Sequence, residues 1–147
     1  MLLKKTRYAI IASIKLAKEY GKGPILIGDI AKSEGIPQRF LENILLEMKN
    51  MGLLGSRIGK TGGYYLMKSP EEITLLDIVR HFEGTIALLN CVSEKAYQAC
   101  EFCKNEQDCK VRSVFKNIRD YTFNVLQKTR LSDLIVEDEA KNIVFSI

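Results

Sequence analysis

Gly35 and Pro37 stand two residues apart and cut residues 27–50 into two short helices. The first is expected over Ile27–Glu34, with Ile27, Ile30 and Ala31 facing inward. Gly35 ends it. Pro37 suits the first position of the next helix, where its missing N–H is no loss. That second helix should reach Asn50 and stop before Gly52. Leu41, Ile44, Leu45 and Met48 form its apolar stripe. Gln38, Arg39, Glu42, Asn43 and Lys49 lie off the stripe. Two short helices across a glycine turn make a helix-turn-helix pattern. The same pattern also describes an ordinary helical corner, so the neighbouring segment has to decide.

That segment reads as a β-hairpin. Leu53–Ile58 and Tyr64–Met67 are strand-like, and Gly59-Lys60-Thr61-Gly62-Gly63 lies between them. A hairpin directly after a helix-turn-helix is a wing. Arg57 and Lys60 place positive charge on it. Its glycines would let backbone N–H groups approach phosphates.

The remaining elements frame this unit. A first helix is expected over residues 2–20, where Tyr8, Ile11, Ile14 and Ala17 repeat at a spacing of three with Ile10 beside them. Gly21-Lys22-Gly23-Pro24 ends it. Thr74 looks like an N-cap with Asp77 three residues on, a variant capping box. Leu75, Leu76, Ile78, Val79 and Phe82 fill that helix, and Gly84 stops it. His81, the single histidine, reads as an ordinary surface or half-buried side chain. Val111, Val114, Phe115, Ile118, Tyr121, Thr122, Val125 and Leu126 mark a helix of roughly 17–20 residues by their three-and-four spacing. Such a stripe either folds back on its own domain or pairs with a second copy, and pairing is favoured. Residues 131–147 look like a small tail ending in a short strand at 143–147. The fold class is therefore mainly α with a small β-hairpin wing. Three regions follow: 1–84 for DNA binding, 85–109 as a cysteine-rich loop, and 110–147 for pairing.

Charge and cysteines divide along the same line. Among 147 residues, 1–68 carry 12 Lys/Arg against 5 Asp/Glu, a balance of +7, and 69–147 carry 10 against 13, a balance of −3. The basic half points to a polyanion. All four cysteines, Cys91, Cys100, Cys103 and Cys109, fall in one polar segment. The chain opens without an export signal or a membrane span, so a cytoplasmic protein is expected, where clustered cysteines are more often metal or redox groups than disulfides. Four thiolates suit an iron–sulfur cluster or a tetrahedral zinc. Lys104, Lys110 and Arg112 nearby should favour thiolates by lowering their pKa.

In order along the chain, several segments resemble the IscR/NsrR/CymR type of bacterial winged-helix regulators, the Rrf-two family. These are Ile36-Pro37-Gln38-Arg39-Phe40-Leu41-Glu42-Asn43-Ile44-Leu45, Gly52-Leu53, Gly62-Gly63-Tyr64-Tyr65-Leu66 and Pro70-Glu71-Glu72-Ile73-Thr74-Leu75-Leu76-Asp77-Ile78-Val79, with Arg7-Tyr8-Ala9 at the start. The resemblance runs from about Leu3 to Leu134. It implies a dimeric transcription regulator, with the second helix of the pair in the major groove, the wing along the minor groove and the 110–128 helix at the dimer interface. It also implies an iron–sulfur cluster (2Fe–2S or 4Fe–4S) whose state sets DNA affinity. Two departures stand out. Ile58 occupies the place of the family's wing arginine, with Arg57 displaced by one residue. Of the family's common Cys-x5-Cys-x5-Cys spacing only the last interval, Cys103 to Cys109, matches; Cys91 corresponds to the first ligand by its place after Gly84, and Cys100 is extra. Arg112 stands where some members carry a histidine ligand, so four thiolates are the economical set.

The expected partner is a pseudo-palindromic double-stranded DNA operator, bound by a homodimer with no membrane involved. Arg39 can pair with guanine or a phosphate, Glu42 can accept from cytosine, and Asn43 can read adenine beside Gln38. Lys4, Lys5 and Arg7, with Tyr8, are expected on phosphates. Arg57, Lys60, Thr61, Gly62, Gly63 and Tyr64 are the wing's candidates. The metal candidates are Cys91, Cys100, Cys103 and Cys109. The competing readings are a metal-free regulator sensing thiol oxidation or a small ligand, a structural zinc, or a regulator acting on a protein partner through its acidic half. An enzyme is not expected: there is no nucleotide-binding glycine motif and no Ser/His/Asp set.

Overall fold

The computed structural model describes residues 1–135. Its elements are α1 (Lys4–Lys18), α2 (Ile27–Glu34), α3 (Gln38–Asn50), β1 (Leu54–Arg57), β2 (Gly63–Leu66), α4 (Leu75–Glu83) and α5 (Lys110–Lys128). Three single turns of 3₁₀ helix join them, at Asn90–Val92, Glu106–Asp108 and Leu131–Leu134. The strand expected at 143–147 lies outside the described residues.

The helix pair forms where its breakers place it. Gly35 takes the left-handed conformation at φ 65° and closes α2. Pro37 sits one position earlier than expected, as the residue preceding α3. Leu41, Ile44, Leu45 and Met48 are buried against α1, α2 and β1. Thr74 and Asp77 make the reciprocal capping box at the start of α4, worth about 1 kcal/mol.

The helix α1 forms as its apolar repeat suggests, but its buried face is not the row that repeat marks. Thr6, Ala9, Ala12, Ser13, Leu16 and Ala17 are buried, whereas Ile11 is exposed and Tyr8, Ile10 and Ile14 are half-buried. A strict spacing of three falls short of a full turn and drifts around the helix. Positions 6, 9, 13 and 16 keep the true period of about 3.6. Small residues there let α1 approach α3 and α4 closely, and Ser13 returns its hydroxyl to the Ala9 carbonyl at 2.6 Å.

β1 and β2 pair antiparallel, Leu54 opposite Leu66 and Arg57 opposite Gly63. Ile25, just before α2, adds a third, one-residue rung: its N–H donates to the Tyr64 carbonyl at 2.9 Å, and the Tyr64 N–H donates back at 2.8 Å. The chain then returns from α5 to the core. The Leu75 N–H donates to Thr129 O at 2.8 Å and the Leu131 N–H to Ile73 O at 2.9 Å. Leu131 is completely buried among the winged-unit core residues. What reads as a tail in sequence is part of the first domain's core.

Candidate nucleic-acid interface and cysteine loop

The buried stripe of α3 turns its other face outward. Gln38, Arg39, Glu42 and Asn43 are all exposed. The first turn carries no side-chain cap and no acidic residue. Phe40, 60% exposed, joins this face and was not among the expected contacts. The signal was available, since a phenylalanine lies off the apolar stripe in an otherwise polar turn. Lys49 fixes the helix to the wing by donating to the Ser56 hydroxyl at 2.7 Å.

The four N-terminal candidates separate. Lys4, over the Tyr8 ring at 5.7 Å, and Arg7 are exposed. Lys5 is tied to the Glu47 carboxylate of α3 and lies over Phe82 at 5.6 Å. The His81 ring approaches the same carboxylate at 3.4 Å. Lys5 therefore joins α1 to α3 and α4 rather than standing free for a phosphate. Tyr8 packs half-buried against the core.

On the wing, Arg57 is folded over the Tyr65 ring at 5.8 Å, within cation–π range. Lys60 and Thr61 are exposed at the tip, as is Ile58, whose side chain projects fully into solvent. Tyr64 is half-buried against the core. Gly62 and Gly63 have a packing reason of their own. A Cβ on Gly63 would lie 2.0 Å from Ile25 O, and one on Gly62 would lie 2.2 Å from Arg57 O. Close backbone packing at the hinge accounts for this pair without invoking phosphate.

The cysteine segment is held by short polar ties. Cys91, Val92 and Ser93 are buried beneath α5. Cys100, Cys103 and Cys109 are partly exposed. Cys103 Sγ lies 3.2 Å from Asn105 O, and Cys109 Sγ accepts from the Arg112 N–H at 3.4 Å, capping α5. Burial pushes the Cys103 thiol above the ordinary cysteine value, and the neighbouring Cys109 and Cys100 sulfurs push the same way. This reverses the expectation that basic neighbours lower it. Arg112 is engaged elsewhere, on the Cys91 carbonyl at 3.3 Å and near Glu106 at 3.8 Å. Tyr97 donates to Glu106 at 2.6 Å, and that bond raises its pKa.

Cys91 and Cys100 border one surface cavity with Leu89 and Phe102, while Cys100 and Cys109 each lie near enough to act on Cys103. Among the described residues no three His, Cys, Asp or Glu side chains converge as a metal cage. The expected set of Cys91, Cys100, Cys103 and Cys109 is thus suitable in donor type but not assembled around one point. Cys91 is fixed in a buried turn, Cys100 and Cys103 follow the exposed residues 94–99, and Cys109 is held at the start of α5.

The outer face of α5 carries exposed Val111, Val114, Ile118, Tyr121 and Val125. Phe115, Thr122, Phe123 and Leu126 are half-buried on the side that packs on the rest of the chain. No described helix is long and apolar enough to cross a membrane.

A family model described as Rrf2, iron-dependent transcriptional regulator, matches residues 2–137. An rrf2-like helix-turn-helix transcriptional regulator of Rhodobacter capsulatus is 36% identical over 138 residues, 92% of each chain. The regulator CymR of Bacillus subtilis is 35% identical over 130 residues, 88% of this chain and 86% of its own. The crystal structure of B. subtilis CymR, described as a global cysteine regulator, superposes with a TM-score of 0.77 at 32% identity, covering 92% of this chain and 95% of that one. The structure of T. potens IscR has the same fold, with a TM-score of 0.72 over 100% of this chain and 93% of its own at 24% identity.

Proposed function

The chain belongs to the Rrf2 family of transcriptional regulators, and on that premise we propose that it grips a pseudo-palindromic operator as a homodimer and adjusts that grip through its cysteine loop. It is a DNA-binding transcription regulator and not an enzyme. The observation that carries the DNA reading is the exposed row Gln38, Arg39, Glu42 and Asn43 on a helix clamped from behind. We assign base contacts to that row and to Phe40, whose ring suits a thymine methyl. Phosphate contacts fall to Lys4, Arg7 and Lys60. The exposed stripe of α5 serves the second copy, residues 1–84 with Leu131 form the DNA-binding unit, and the protein works in the cytoplasm.

For the loop we propose an iron–sulfur cluster held by Cys103, Cys109, Cys91 and Cys100. The thiol donor set and the family's description as iron-dependent support this. A bound cluster would make the loop responsive to iron supply and to oxidants. The chain's own residues do the transmission: gathering the thiols shifts the loop against the start of α5, which Cys109 caps. A second reading, oxidation of the thiols themselves, is favoured by the neighbouring Cys103 and Cys109 and by the lack of an assembled cage among the described residues.

Anaerobic purification followed by iron, sulfide and zinc analysis separates these readings. Iron and sulfide in equal amounts with visible absorbance are expected, and their absence after reconstitution overturns the cluster. For the base-reading row, Glu42→Ala should alter the sequence preference in a binding-site selection. An unchanged preference removes Glu42 from the readout.

A further inference from the structure

Two arginines of α5 reach out to the buried cysteine turn. Arg112 Nε donates to Cys91 O at 3.3 Å, and Arg119 Nη1 donates to Val92 O at 2.6 Å. They stand seven residues apart, two helical turns along one side of α5. Arg119 is the more buried, its side chain 15% exposed, and it does more than hold the turn. Its guanidinium also binds Asp120 and lies 4.0 Å from Glu94. The other oxygen of Glu94 lies 3.5 Å from Arg80 of α4, and Arg80 stacks on Phe123 of α5 at 5.3 Å. His81, the next residue of α4, approaches Glu47 of the recognition helix α3. These contacts lead from the cysteine turn to α4, and α4 in turn meets the helix that faces DNA through His81 and Glu47.

We propose that Arg119 is the positioning residue that couples the Cys91–Val92 turn to the DNA-binding unit, with Glu94 as its link to α4. An arginine suits this task because its rigid fork donates to the Val92 carbonyl and the Asp120 carboxylate while its charge faces Glu94 at 4.0 Å. Regulation of DNA affinity by the loop, proposed above, is the reading this rests on. Displacement of the turn when the loop changes state would release or reorient Arg119 and so move α4 against α5.

The test uses the full-length protein and has two arms. In metal-free protein, Arg119→Gln should let iodoacetamide reach Cys91 about tenfold faster, the factor carried by one lost charge-assisted hydrogen bond. Cys103 in the same sample is the internal control, and Arg119→Lys, which keeps the charge and one donor but not the fork, should restore only part of the protection. An unchanged Cys91 rate overturns the proposal whether or not the loop takes up iron. The second arm compares operator affinity before and after reconstitution with ferrous iron and sulfide. Glu94→Gln, at an exposed position, should leave Cys91 protected and metal-free DNA affinity within twofold of wild type, yet lose the response to reconstitution. A full response in Glu94→Gln overturns the coupling. A wild-type protein that shows no response overturns the loop's regulatory reading instead, and the alkylation arm then decides the role of Arg119.

Discussion

Gly63→Ala should damage the wing at its hinge. Gly63 holds φ at +128°, where an L side chain is strained, and its added methyl would meet the Ile25 carbonyl oxygen at 2.0 Å. The backbone has to part there, which breaks the reciprocal pair between Ile25 and Tyr64. Two hydrogen bonds at about 1 kcal/mol each, plus about 2 kcal/mol of backbone strain, give a loss of roughly 4 kcal/mol. For a chain of this size that lowers Tm by roughly 10 °C. Differential scanning calorimetry measures it directly. Gly59→Ala is the control: its φ is +116°, but nothing lies within 4 Å of the added carbon, so only the strain remains. Its loss should be about half as large. If Gly63→Ala melts within about 3 °C of wild type, or no lower than Gly59→Ala, the close backbone approach is not what selects glycine there. DNA binding by the folded fraction should also weaken, because Ile25 and β2 carry the wing.

Lys60→Ala should weaken binding to every DNA sequence alike and reduce the salt slope by about one, read from affinities across a salt series. Leu131→Ala should cost about 2–5 kcal/mol in urea denaturation despite lying beyond the last long helix, because the side chain is fully buried. Ile118→Glu, placing a charge in the exposed apolar stripe of α5, should give a monomer by analytical ultracentrifugation while the monomer keeps its helical content.

Features set by neighbours along the chain could be read directly. Gly35 and Pro37 divide α2 from α3, Thr74 and Asp77 cap α4, and the α5 stripe has the right period, because each depends on local backbone rules. Features set by distant partners could not. Ile25 becomes a strand rung only because Gly63 lets β2 come close, and no pattern around Ile25 announces it. The burial of Leu131 depends on Ile73, 58 positions earlier. On α1 the apolar repeat marks the helix but not its buried face, because that face is built mostly of small residues that carry little hydrophobic signal. The same limit applies at the interface. Composition cannot show that Lys5 is held by Glu47 while Lys4 and Arg7 are exposed.

The placement of Cys91 has a mechanical consequence. α5 is fastened in two ways, to the DNA-binding unit at its C-terminal end and to the cysteine turn over its first half. At its C-terminal end Thr129 and Leu131 are bonded to the backbone at the start of α4, and Leu131 is locked in the core. Over its first half it is held to the cysteine turn by Arg112 near the N-terminal end and by Arg119 at the helix midpoint, and Cys109 caps its first turn. The first attachment is buried and apolar, so it acts as a fixed pivot. The second is polar and half-exposed, and the cysteine loop itself supplies its groups. A 19-residue helix is about 28 Å long at 1.5 Å per residue. Tilting it by about 5° about the Leu131 end therefore displaces the Cys109 end by roughly 2.5 Å, by the same geometry. In a dimer joined through the outer face of α5, that tilt would change the separation of the two α3 helices. Half-site matching at about one DNA turn is sensitive to such shifts. On the proposed regulation, a loop remote in sequence from the recognition helix acts on DNA affinity through the more polar of the two attachments of α5 and without touching DNA.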